Sequence, residues 1–129
     1  MLYAAMVKRG ATCTAAGVWT DNSTRNAKEN IRSLTAEEAL DALGGLNPVR
    51  YNYKVDKEDE CVGFIAEDVP DLVASKERKG MSPMDIVAVL TKVVQEQQKV
   101  IQEQQELFQE QQKTISELNK RVAEVESKQ

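Results

Sequence analysis

A serine hydroxyl and a lysine amine stand five residues apart at Ser23 and Lys28, within a polar stretch of the chain. The sequence contains no histidine, which excludes Ser-His-Asp and Cys-His catalysis and removes the commonest zinc ligand. A lysine can serve as the base for a serine when burial lowers the pKa of a lysine towards the working pH. Serine and lysine are common at this spacing, so the spacing alone does not identify a catalytic pair.

The composition of the 129 residues argues against two classes of partner, nucleic acids and membranes. Seventeen Lys and Arg against twenty-one Asp and Glu give a net charge of −4, which argues against non-specific binding of nucleic acid. No apolar run approaches the roughly 20 residues that span a bilayer, and the first residues lack the order of a secretory signal. We therefore predict one domain, with neither nucleic acid nor a membrane as a partner.

The two cysteines, Cys13 and Cys61, match no metal-binding spacing and are too few for a disulfide framework. We expect two free, partly buried thiols in a protein that matures in a cytoplasm, where thiols stay reduced. The sequence also has no phosphate-binding loop, metal-ligand cluster or carboxylate pair. We predict no metal and no cofactor.

The segment before the pair, residues 1–22, has small side chains and no helical period. This composition is typical of the end of a β-rich segment that belongs to something longer. Trp19, the only tryptophan, is expected to anchor a core or an interface.

The segment after the pair begins with a predicted helix. Thr35 and Glu38 have the spacing of a capping box, in which each side chain accepts a hydrogen bond from a backbone N–H at the start of a helix. The box predicts a short helix from residue 36 to about residue 43, and the glycines at 44 and 45 are expected to end it.

Residues 48–66 predict a β-hairpin. Polar and apolar side chains alternate after Pro48, which places one set on a common face: Val49, Tyr51, Tyr53 and Val55. The polar residues 56–60 are the predicted turn, and residues 61–66 are the predicted returning strand. Residues 71–80 are expected to form a loop or a short irregular helix. Together with the short helix, the hairpin gives an α+β head whose core is too small to be very stable alone.

A long helix is predicted from Pro83 to near the C-terminus. Ser82 suits the N-cap, proline suits the first helical position, and neither glycine nor proline follows. Such a helix is about 65–70 Å long. From Gln95 the sequence repeats every seven residues as QEQQKVI, QEQQELF, QEQQKTI and SELNKRV, the pattern of a supercoiled helix.

The heptad defines the predicted interface between copies of the chain, if Ile101 occupies an a position. The a positions are then Val87, Val94, Ile101, Phe108, Ile115 and Val122, and the d positions are Leu90, Gln97, Gln104, Gln111, Leu118 and Val125.

Glutamine at three consecutive d positions is costly in a dry interface, because a buried unpaired amide costs about 1–3 kcal/mol. Facing copies of the same helix can supply partners, since an amide both donates and accepts. The pattern therefore favours a homo-oligomeric bundle with a weak middle that sets register or allows separation. The alternative is a single helix laid on its own domain, for which almost no apolar surface remains.

Several sequence blocks resemble a known family. The blocks are Ser-Thr-Arg at 23–25, KENI at 28–31, NPVRYNYK at 47–54 and GFIAEDV at 63–69. Their order and spacing resemble the C-terminal intramolecular chaperone domain of endosialidases and other phage tail spikes, fibres and neck appendages. The Val-Trp-Thr sequence at 18–20 makes the appendage branch the most similar.

The resemblance implies a division into three parts: residues 1–22 as the remnant of a β-rich fibre shaft, residues 23–82 as the chaperone head, and residues 83–129 as a coiled-coil helix. It implies a homotrimer that folds the N-terminal fibre portion of its own chain in the cytoplasm of a bacterial host. The chaperone is then cut off and is absent from the mature virion. The heptad residues alone do not establish three chains in the oligomer, since β-branched a positions with leucine at d favour a two-stranded coiled coil.

The resemblance also implies the site of self-cleavage, between Asn22 and Ser23. Ser23 would be the nucleophile of a serine-type peptidase that acts once on its own chain, and Lys28 the proton shuttle. Many relatives have aspartate after the serine where this chain has Thr24, and Asp21 is a candidate to replace it. An alternative alignment on Thr20 and Asp21 places Lys28 eight residues away and fits less well. Glu29 and Asn30 are candidates to orient the lysine or to contact the oxyanion, with helix capping as the alternative role.

Two other functions remain open at this stage. One is a cap that trimerises a fibre without cleaving it. The other is a regulator such as a membrane-tethered transcription factor, which is disfavoured because the chain has neither a membrane segment nor a basic domain.

Overall fold

The computed structural model describes residues 10–129, which form two compact units divided between Ser33 and Leu34. Part of the predicted shaft remnant, residues 1–9, lies outside the described residues. The division falls eleven residues after the predicted boundary at residue 22. Ser23 and Lys28 therefore lie in the same unit as the segment that precedes them.

The first unit contains a small β-hairpin. Strand β1 (Thr12–Cys13) pairs antiparallel with β2 (Trp19–Thr20). The turn is closed by a hydrogen bond from the Gly17 N–H to the Thr14 carbonyl at 2.9 Å, and Gly17 has a φ of +81° that favours glycine. Trp19 is 58% exposed, so the predicted core position is wrong for this unit and an interface role stays a prediction.

The second unit begins with helix α1 (Ala36–Gly45), and its predicted capping box is confirmed. The Thr35 hydroxyl accepts from the Glu38 N–H at 3.1 Å, and the Glu38 carboxylate accepts from the Thr35 N–H at 3.0 Å. The helix continues through both glycines instead of ending before them. A Cβ on Gly45 would lie 2.7 Å from Cγ of Pro70, so the absence of a side chain lets the following loop approach the helix.

The hairpin of the second unit joins β3 (Val49–Tyr53) to β4 (Asp56–Gly63). The predicted turn at 56–60 is wrong: Tyr53 pairs with Asp56 across a two-residue turn, and the acidic residues belong to β4. Val55 lies in that turn and is 97% exposed, so it does not continue the apolar face. The returning strand ends at Gly63, three residues before the predicted end.

A loop with a 3₁₀ turn at Asp71–Val73 follows the hairpin, as predicted. Arg78 holds this loop together. Its guanidinium donates to the carbonyl of Val69 at 2.7 Å and forms an ion pair with the carboxylate of Asp71.

Helix α2 (Pro83–Ser127) confirms the predicted long helix, and its 45 residues extend for about 68 Å. Only its first turns pack against the head. There Val89 and Val93 are buried against Ala39 and Ala42 of α1, and Ile86 packs at the edge of the same cluster. The six buried residues of this core are small: Ala39, Ala42, Val69, Val73, Val89 and Val93.

The predicted α+β class is confirmed, with a hairpin and short helix followed by one long helix. Within residues 10–129, none of the helices is long and apolar enough to cross a membrane. The same residues contain no group of three or more potential metal ligands. Cys13 and Cys61 are both free; Cys61 is half-buried as expected, whereas Cys13 is exposed.

Candidate functional site

A 3₁₀ turn at Arg25–Ala27 brings the two candidate catalytic groups together. The turn is formed by hydrogen bonds from the Ala27 N–H to the Thr24 carbonyl at 3.2 Å and from the Lys28 N–H to the Arg25 carbonyl at 3.1 Å. Because the chain reverses over these residues, the Lys28 amine donates to the Ser23 hydroxyl oxygen at 2.6 Å.

This contact has the geometry that proton transfer needs, since a base must lie about 2.6–3.2 Å from the group it deprotonates. With the amine charged, Lys28 donates to Ser23. With the amine neutral, the hydroxyl can donate to the same nitrogen without any change in the backbone. Both residues are exposed in the single chain, so the burial expected of a lysine base is not provided by this unit.

The residue before the serine is also held in place. The side chain of Asn22 lies against Gly10, where an added Cβ would be 3.0 Å from Cγ of Asn22. Gly10 has a φ of +87°, a conformation that L side chains rarely adopt. The residues on both sides of the Asn22–Ser23 bond are therefore positioned by contacts within the first unit.

The three supporting candidates lie at exposed positions on either side of the turn. Asp21 directly follows β2 and is exposed. Thr24 and Thr35 occupy the N-caps of the neighbouring helices, so the alternative role of Glu29 and Asn30 as helix caps is wrong. Asn30 instead takes a left-handed backbone conformation with a φ of +55°, which lets the chain turn soon after Lys28.

The predicted interface of α2 is uncovered in the single chain. All nine apolar members of the a and d rows are 44–60% exposed. The buried side chains at the start of the helix come from a different face, since Val89 and Val93 occupy c and g positions. The head therefore leaves the a and d rows free along the whole helix.

A recess on α2 has the composition of a coiled-coil hole. It is lined by Ile101, Gln104, Gln105 and Phe108, with Gln109 at its edge. These first four residues occupy consecutive a, d, e and a positions. In a coiled coil, four residues of one helix form a hole that receives a side chain from the next helix.

Sequence reasoning missed an apolar groove between the hairpin and the start of α2. Its lining includes Tyr51, Tyr53, Val62, Met81 and Val87, and its volume is about 740 Å³. The alternation of Tyr51 and Tyr53 predicted one side of this groove, but nothing local in the sequence predicted that Val87 would form the other. Val87 also begins the a row, so the groove adjoins the uncovered face of α2.

Comparison with protein families matches part of the chain to a known family. Residues 23–76 match the Peptidase_S74 family, described as the chaperone of endosialidase. The match begins at Ser23 and ends in the loop before α2, and it confirms the resemblance drawn from the sequence blocks. Comparison with curated proteins and with solved structures gives no match.

Proposed function

We propose, from the premise that residues 23–76 belong to the chaperone of endosialidase family, that the chain is an intramolecular chaperone that cleaves itself. It trimerises and folds the N-terminal portion of a phage tail spike, fibre or appendage, and it is released by cleavage between Asn22 and Ser23. The observation that carries this proposal is the 2.6 Å contact between Lys28 Nζ and Ser23 Oγ. The pair stands at the first residue of the family match, where the released chaperone would begin.

Cleavage proceeds in two steps, of which the first is an acyl shift. The Ser23 hydroxyl gives its proton to the neutral Lys28 amine, and its oxygen forms a bond to the carbonyl carbon of Asn22. The bond from that carbon to the Ser23 nitrogen then breaks, and the Lys28 ammonium returns a proton to the departing amine. The product is an ester of Ser23, and the proximity of the two groups supplies much of the acceleration.

In the second step, water attacks the ester carbonyl with Lys28 again as the base. The bond from that carbon to Ser23 Oγ breaks, and the Lys28 ammonium returns its proton to Oγ. Asn22 then ends in a carboxyl group, and Ser23 has its hydroxyl and a free amino group. Water is the only co-reactant, and each chain reacts once.

Assembly is the proposed trigger for the reaction. A lysine amine accepts a proton only in its neutral form, which the exclusion of water favours. Because Ser23 and Lys28 are exposed in the single chain, neighbouring copies are needed to exclude water from the pair. This requirement would restrict cleavage to trimers formed in the bacterial host cytoplasm, so that the chaperone is absent from the mature virion.

The test is the intact mass of the purified 129-residue chain after incubation under folding conditions. We expect a fragment with a new amino terminus at Ser23. Ser23→Ala and Lys28→Met should abolish the fragment. Thr24→Ala and Lys57→Met are matched controls that remove a neighbouring hydroxyl and another exposed amine, and they should cleave like the parent chain.

A non-cleaving trimerisation cap is the second candidate function. It is favoured by Thr24, which stands where many relatives have aspartate, and by the exposure of the pair. An intact chain that is nevertheless trimeric by light scattering would support this function over the first. An intact chain that is monomeric would contradict both.

A further inference from the structure

The glutamines of the d row lie in the middle of the uncovered face of α2. On the surface of the helix, the d row lies between the g row and the a row. Between residues 94 and 111 the outer two rows are apolar: Val100 and Leu107 at g, and Val94, Ile101 and Phe108 at a. Gln97, Gln104 and Gln111 form the row between them. Any helix that packs on this face therefore surrounds the glutamines with apolar side chains.

The three amides have no hydrogen-bond partner within their own chain, over the part of the chain that the structure describes. The g, d and a rows of this segment also contain no charged residue that would pair with them. Around Gln104, the recess formed by Ile101 and Phe108 leaves space beside the amide. Partners for the amides must therefore come from outside the chain.

We propose that the assembled stalk binds a small anion, such as chloride, on its axis at the glutamine layers. The inference rests on the proposed trimer. Three copies in register bring three amides together in each layer, with two N–H donors and one carbonyl on each amide. If each amide donates one N–H to the carbonyl of the next, the ring satisfies the carbonyls and leaves one N–H on every amide.

The remaining N–H groups favour a ligand that accepts hydrogen bonds. Three donors that converge on a dry axis need an acceptor, and leaving them unpaired would cost free energy at every layer. A spherical anion accepts from three directions at once, whereas a cation would meet only donors. The layers repeat every seven residues, so adjacent sites lie about 10 Å apart.

The experiment uses the full chain in sodium chloride and in sodium gluconate of the same ionic strength, since gluconate is too large for the axis. We expect a higher melting temperature in chloride and a broadened ³⁵Cl resonance in the presence of the protein. A ligand that binds only the native state stabilises that state by mass action. For each layer that binds chloride, the association constant of the trimer should therefore rise about tenfold when the chloride concentration is raised tenfold above Kd.

The decisive variant replaces the amides by Gln97→Ile, Gln104→Ile and Gln111→Ile together, since isoleucine at a and d favours three strands. This variant should stay trimeric and lose both chloride effects. The matched control, Gln95→Ala and Gln102→Ala, removes two amides from b positions and should keep both chloride effects.

A parent chain that is trimeric by light scattering, but melts at the same temperature in both salts without ³⁵Cl broadening, would overturn the anion site and leave the proposed function intact. Broadening that persists in the isoleucine variant would also overturn it. A parent chain that is monomeric would refute the proposed assembly and the anion site with it.

Discussion

The first three turns of α2 and the turns beyond residue 94 are parts of one helix, but they differ in what covers them. In the first turns, Val89 and Val93 are buried against α1, while the neighbouring Val87 and Val94 remain more than half exposed. Beyond residue 94, none of the described residues of the helix is buried. The head thus occupies one face of the helix for a short distance and leaves the adjacent face free throughout.

The face that packs in the head is therefore separate from the face that is available for the proposed assembly. The alternative of a helix laid on its own domain is correct for the first turns only. For the remainder, a long helix needs an apolar face to be packed, because propensity alone contributes little stability. Since the a and d rows continue without interruption past the head, copies of the chain can pack along them without competing with α1.

The largest effect is expected from Val89→Asp, on the face that the head covers. Val89 is 2% exposed, and an unpaired carboxylate at this position would cost several kcal/mol, a large part of the stability of so small a domain. We expect the amides of α1 to lose protection in hydrogen exchange measured by mass spectrometry. Ala88→Asp, one residue earlier at an exposed position, is the control and should change the free energy of unfolding by less than about 1 kcal/mol. Equal loss of protection in both variants would contradict the assignment of faces.

The next largest effect is expected from Ile101→Asp, on the uncovered face. In a single chain this side chain is already 46% exposed, so the substitution should leave the head folded. In the proposed trimer it buries three carboxylates together, and the stalk should dissociate. Light scattering at micromolar concentration should give the mass of one chain, with unchanged hydrogen exchange in α1. Gln102→Asp adds the same charge at a b position and should remain trimeric; dissociation of both variants would mean that charge alone is responsible.

The sequence predicted best those features that depend on neighbouring residues. The capping box of Thr35 and Glu38 is a local motif, and both of its hydrogen bonds are present. The predicted hairpin turn at residues 56–60 is misplaced, because the backbone turns at residues 54–55 and the acidic residues extend β4. Polarity does not distinguish a turn from a strand whose side chains face water.

Features that depend on tertiary packing were not predictable in the same way. The heptad predicted the a and d rows, but Val89 and Val93 became core residues only because the alanines of α1 allow two helices to approach closely. Ser23 and Lys28 were identified by type and by family resemblance. Their contact depends on the 3₁₀ turn between them, which the sequence of Arg25–Ala27 does not specify.

The smallest expected effect tests the packing of α1 within the head. Gly45→Ala should destabilise the head by about 1–3 kcal/mol, because the new methyl group would overlap Pro70 at 2.7 Å and force the loop away from α1. Gly44→Ala is the matched control: a Cβ there meets no atom within 4 Å, so alanine should stabilise the same helix by about 0.5–1 kcal/mol. Urea denaturation followed by circular dichroism should show the two midpoints moving in opposite directions.

Neither substitution should change the number of chains in the assembly, because neither residue lies in the a and d rows. A change of subunit number in Gly45→Ala would mean that head packing and stalk assembly are coupled, against the separation of faces.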